Sequence, residues 1–421
     1  MKKLAALFLT TFTALAAFAE TSSPAPNLSP AERSMAQANR LLEKNPKDFE
    51  AYNALALALS RRARETSDVR YYTEAEEALQ KSFAISPDNF DGARTRVWLL
   101  LGKHEFASAL DEAKKLNKRM PDDVMTYGFL TDANVELGNY KDAETAAQMM
   151  LDLRPGNLPA MTRAAYLREL FGDVDGALDL MNMALQSTAP SEAEDAAWIL
   201  SQIGHLDLSV GKTAEAEKSL QRALVLFPGY HYALGNLAKV RIQQGRYDEA
   251  VQLLEQRYQA APHAENLFDL AEALQLSGRR EDAKKAFTEF EQKSLLESNR
   301  GDNSNRELIF YYADFAHEPL KALEVAQHEF ARRHDVFTLD AYAWALHRNG
   351  QDEEARKQIE QALTVGIRDA RLFRHAGEIA LATGDRAAAE KYLKQSAELN
   401  TAESRQAVAT LARLTSSTEQ R

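Results

Sequence analysis

The sequence predicts an all-α chain built from about ten stacked helix pairs, and three observations carry that expectation. The first is a repeat. Ala residues at positions 75, 109, 143, 177, 216, 250, 283, 322, 355 and 389 share one local pattern, at spacings of 34, 34, 34, 39, 34, 33, 39, 33 and 34. The second is the company these alanines keep: a Gly five residues before, a small residue twelve before and, in several copies, a Pro twelve after. The third is the amphipathic run on either side of each marker, as in Gly245 to Pro262, G-R-Y-D-E-A-V-Q-L-L-E-Q-R-Y-Q-A-A-P. With 45% hydrophobic and 27% charged residues, the composition is that of a folded soluble protein.

Each residue class has a mechanical reason. The marker Ala sits where two antiparallel helices cross, so a larger side chain there overpacks the contact. The small partner twelve residues earlier (Thr131, Ala165, Gly204, Ala238, Ala271, Ala343, Gly377) admits the same close approach. The Gly (Gly138, Gly172, Gly211, Gly245, Gly278, Gly350, Gly384) suits a left-handed cap after the first helix. The Pro (Pro87, Pro121, Pro155, Pro228, Pro262) ends the second helix, because the residue before a proline is pushed out of the α region.

Taken in order, Met1-Lys2-Lys3, the apolar run Leu4 to Ala17 and Ala17-Phe18-Ala19 read as a secretory signal peptide, 1–19, cleaved after Ala19. Residues 20–29 are a Pro- and Ser-rich linker expected to be disordered. Pro30 to Asn45 reads as the second helix of a degenerate leading repeat, and Phe49 to Arg62 as the first helix of the next. An excess of residues in Arg61 to Arg70, basic and polar, lengthens that helix pair or its turn. A second excess, Pro190 to Ala216, begins with an acidic link, and a third is the polar stretch 293–306. This last divides the array into 30–300 and 301–415. The unit that follows has a shortened first helix, Glu307 to Phe315, and Thr401 to Leu414 forms a capping helix before a frayed tail, 416–421.

Over residues 30 to 400 these spacings and residue types resemble the tetratricopeptide-repeat (TPR) superfamily. The resemblance implies a right-handed superhelical α-solenoid whose concave face is lined by the first helix of each pair. It also implies a scaffold that binds peptides, helices or other proteins. Pro is missing after Ala283, Ala322, Ala355 and Ala389, and Arg257 replaces a usual small residue. No Lys is followed four places later by Asn, so the carboxylate clamp of the chaperone-binding members is not expected.

The groove candidates stand eleven residues before each marker or seven further back: Trp98, Tyr166, Trp198, His205, Tyr232, Lys239, Glu272, Trp344 and Glu378. Aromatics at such places desolvate large areas at low entropic cost and dominate binding hot spots. The competing explanation is packing against the neighbouring repeat. Other chemistry is poorly supported. There is no Cys, no paired-His helix motif, no phosphate-binding Gly loop and no nucleophile elbow. Catalytic residues, metal ligands and cofactors are therefore not expected. A net charge of −11 without a long basic block argues against nucleic acid. The cluster Arg61-Arg62-Ala63-Arg64 reads as a solvated helix end or as a dock for an acidic partner or phospholipid. The expected role is an exported scaffold, periplasmic or secreted, acting in envelope assembly or secretion through a protein or peptide partner. The alternatives are a non-catalytic regulatory subunit of an exported enzyme or, more remotely, a polymer-processing enzyme.

Overall fold

The computed structural model describes residues 28–419 apart from 67 and 302, with side chains through 414. The expected signal peptide and linker residues 20–27 lie outside the described residues. Among the described residues every regular element is helical. Ten antiparallel pairs run from Phe49 to Glu398, preceded by a single helix, Pro30–Lys44, and followed by the helix Ser404–Glu419. The chain is an all-α solenoid.

The spacing rules reappear as packing. Nine of the ten marker alanines are 0% exposed and Ala283 is 3% exposed. A Cβ added at Gly204 would lie 2.6 Å from Leu220 Cγ, and one at Gly377 2.6 Å from Leu393 Cγ, so the helices of these pairs touch nearly backbone to side chain. The seven turn glycines all hold φ between +74° and +82°, as a left-handed cap requires. Where the repeat lacks Gly at that place, His104 and His317 take the same conformation, at φ 57° and 56°. Helices end at Ile85, Arg119, Leu153, Leu226 and Ala260, each just ahead of its proline.

The leading helix is fixed at its start by a capping box. Ser29 Oγ accepts from the Glu32 backbone N–H at 3.2 Å, and the Glu32 carboxylate accepts from the Ser29 N–H at 2.8 Å. The excess at residues 61–70 lengthens the helix Phe49–Thr66. The unit after residue 300 begins with Asn305–Phe310 and continues as a π-helical turn, Tyr311–Phe315. One apolar cluster runs through this region, joining Ala238, Phe268, Phe290, Leu308, Ile309, Tyr312 and Ala345. The last helix continues past Leu414 to Glu419, because Thr415 to Thr418 offers neither Gly nor Pro to stop it.

The stack also winds far enough to meet itself. The turn at Lys103 and His104 lies against Gly301; Glu136 to Tyr140 lies against His334 to Val336; Gly172 lies against Gly366; Gly211 lies against Leu399. Each contact joins a turn to a loop roughly five pairs further on. The His334 N–H donates to the Glu136 carbonyl at 3.1 Å and the Val336 N–H to Tyr140 Oη at 2.8 Å. Beneath these bonds, Val135, Leu167 and Leu170 share a continuous apolar core with Val336, Leu339 and Ile367. At the far end Arg405 donates to Tyr247 Oη at 2.6 Å and to the Ile242 carbonyl at 2.9 Å.

Candidate functional site

Winding forms an open cavity of about 480 Å³ between the first helices of several pairs. Its walls include Trp98, Asp132, Tyr166, Tyr232 and Glu265, contributed by five different pairs, together with Arg64 from the lengthened first helix. Trp98, Asp132 and Tyr166 stand eleven residues before their markers, and Tyr232 and Glu265 eighteen before theirs, two registers of the first helices that the repeat brings to one concave surface. Trp98 meets Phe129 edge to face at 6.3 Å, and Tyr232 packs on His231 at 4.0 Å. Tyr166 is 36% exposed, enough to offer a face to a ligand.

Charge in the cavity is mostly paired. Arg163 forms a fork with Asp132, its Nε 2.8 Å and its Nη2 2.5 Å from the two carboxylate oxygens. Glu136 lies 3.3 Å from Arg333; burial and the neighbouring Asp335 raise its pKa even so. Further along the concave surface, burial pushes Glu272 up to about 8, with Glu403 and Asp269 adding to the effect against Arg371. Asp340 is likewise pushed up to about 7 by burial. At Glu403 burial is outweighed by Arg371, 2.6 Å away, and its pKa falls to about 2.

Of the residues expected in the groove, Trp98, Tyr166 and Tyr232 line this cavity. Trp198 is half-buried against two neighbouring apolar clusters. His205 Nε2–H donates to the Glu169 carboxylate at 2.7 Å; burial opposes its charging, but that carboxylate wins and raises its pKa. Lys239 is exposed, and Glu378 pairs with Arg374 at 3.2 Å. Trp344 needs correction. It is 1% exposed, stacks on His375 at 4.1 Å, and its Nε1–H is shared by both Asp314 oxygens at 3.1 Å. The π-helical turn carries Asp314 to this place, and the ring belongs to the packed interior.

The basic cluster also needs correction, since it is neither a solvated helix end nor free for an outside partner. Arg61 pairs with Glu192 at 2.8 Å, while Arg64 pairs with Glu194 and, at 3.0 Å, with Asp195. Tyr230 Oη donates to the same Glu194 at 2.7 Å, and His231 Nε2 lies 3.0 Å from the Arg64 carbonyl. The signal for this was in the sequence: a basic excess at 61–70 and an acidic excess at 192–195 have complementary charge.

A family model described as tetratricopeptide repeat matches residues 207–265. The chain is a tetratricopeptide-repeat protein. A curated relative, the TPR repeat-containing protein MJ1428 of Methanocaldococcus jannaschii, is 26% identical over 162 residues. That match covers 37% of this TPR chain and only 28% of the relative's length. Among solved structures, the human IFIT1 dimer with m7Gppp-AAAA superposes at a TM-score of 0.50 and 15% identity, over 87% of this chain and 85% of that one. The thermophilic TPR protein TTC0263 of Thermus thermophilus superposes at 0.36 and 21% identity, over 42% and 92% of the two chains. No described helix is long and apolar enough to cross a membrane.

Proposed function

We propose that this TPR protein is an exported, non-catalytic scaffold that holds a segment of a partner protein in its concave groove, in envelope assembly or secretion. The observation that carries the reading is the cavity. Aromatic rings from separate pairs, Trp98, Tyr166 and Tyr232, converge there with the charged groups of Asp132, Arg163 and Glu265. Rings give a bound segment apolar anchors, and the charges fix its register. Export rests on the sequence of residues 1–19, and the envelope role rests on export. The m7Gppp-AAAA of the IFIT1 structure is not carried over to this chain, whose net charge is −11.

The test joins localisation to capture. Mass spectrometry of the protein from fractionated cells is expected to find a chain beginning at Glu20. Crosslinking in the envelope fraction is expected to capture one partner with the native chain and to lose it with Trp98→Ala/Tyr232→Ala at unchanged helicity. Equal capture by that variant would remove the groove from the proposal.

A further inference from the structure

The windings of the solenoid are fastened in two different ways. In the middle, Val135, Leu167 and Leu170 merge with Val336, Leu339 and Ile367 into one apolar core. At the N-terminal end the fastening is polar: Arg61 to Glu192, Arg64 to Glu194 and Asp195, and His231 to the Arg64 carbonyl. The polar fastening is also incompletely satisfied. The Nε atoms of Arg61 and Arg64 and Nδ1 of His231 are buried without a hydrogen-bond partner. Glu194 is 0% exposed, so closure takes its carboxylate out of water altogether. An interior ion pair that leaves donors unsatisfied gains little over its hydrated, separated state, whereas an apolar core has no such competitor in water.

The two fastenings also differ in what they cover. Arg64 and its neighbours Ser60 and Ala63 form one wall of the cavity, and Tyr232, His263 and Glu265 face them from pairs further along. The Arg64–Glu194 pair thus borders the cavity, and its separation would widen the opening between these walls.

We propose that the first pairs, carrying the lengthened helix Phe49–Thr66, form a latch: they move as one packed unit away from Glu192, Glu194 and Asp195 to admit a partner segment to the cavity, while the apolar middle contact stays closed. This rests on the groove reading above, naming the entrance to that site. The partner segment enters from the side, by displacement of the chain's own ion pairs, and is not threaded end-on.

The chain contains no cysteine, so two introduced thiols report one distance. Spin labels on Leu57→Cys and Ser191→Cys, both exposed positions, bracket the latch. Labels on Asp175→Cys and Arg368→Cys bracket the middle contact at Gly172 and Gly366. The latch pair is expected to give a short distance and a minor longer one. The longer one should grow several-fold in Arg61→Gln/Arg64→Gln and at raised salt, while the control pair stays fixed. Arg64→Gln/Glu194→Gln, which leaves no unpaired buried carboxylate, guards against simple misfolding of the first variant. In a Trp198→Phe background, acrylamide quenching of Trp98 should rise in step with the longer distance. One unchanged distance in both variants and at raised salt overturns the latch, and so does lengthening of both label pairs together. Partner capture that needs Trp98 and Tyr232 while the latch stays shut refutes the latch and spares the groove. A latch that opens over a groove capturing nothing does the opposite.

Discussion

The turns at Gly138 and Gly172 and those at Gly245, Gly278, Gly350 and Gly384 use the same residue, the same offset from the marker Ala and the same backbone conformation. Their surroundings differ. A Cβ at Gly138 would stand 2.7 Å from the His334 carbonyl oxygen, and one at Gly172 2.5 Å from that of Gly366; at the other four it would meet nothing within 4 Å. One motif therefore serves two ends. In the C-terminal pairs Gly supplies only the left-handed cap, while in the N-terminal pairs it also lets the next winding lie directly on the turn.

This comparison is open to attack at several strengths. The largest effect belongs to Gly172→Ala, where the strain of positive φ adds to a clash with backbone. A loss of about 3 kcal/mol is expected in denaturant unfolding, against about 1 kcal/mol for Gly245→Ala. Equal losses would mean that the windings do not touch at Gly172. Next, Ala250→Leu overpacks a helix crossing remote from the contact at Gly172 and should lower stability by ~1–3 kcal/mol, without altering the Gly172–Gly366 separation.

A pH effect of the order of 1 kcal/mol is expected from Glu272. Its carboxyl keeps its proton in the folded chain up to about 8, because burial opposes ionisation, while the unfolded chain loses it near the ordinary value. The folded state thus binds more protons between these limits, and stability falls as pH rises from about 4.5 to 8. Glu272→Gln should flatten this part of the stability–pH curve, and an unchanged slope would show that Glu272 is not the titrating group. Smallest is His317→Gly, which removes a side chain from a left-handed turn and should raise stability by about 0.5–1 kcal/mol. The same change at His104 should help less, since that ring stacks on Phe106 at 5.3 Å.

Pair packing was legible because it is local. The marker Ala250, its small partner Ala238 and Gly245 lie within one repeat, and each is where its spacing placed it. The contacts between windings have no period, since Arg64 and Glu194 or Glu136 and Arg333 meet across long stretches of chain. They showed in the sequence only as irregularities whose complementary charges were not matched to one another. Trp344 misled for a related reason. Its groove position assumes a regular neighbouring pair, and the neighbour contains a π-helical turn that brings Asp314 to the indole.

The contacts between windings also change what kind of folding problem this chain presents. A solenoid held only by nearest neighbours closes short loops and frays from its ends, one unit at a time. Here Arg61 is tied to Glu192 and Arg333 to Glu136, at separations of 131 and 197 residues. The entropy of closing such loops is met only after the intervening pairs have formed. Winding contact is accordingly the late event in folding. Once made, it joins the first pairs to the middle ones and the middle ones to the last, so the termini no longer melt independently of the centre.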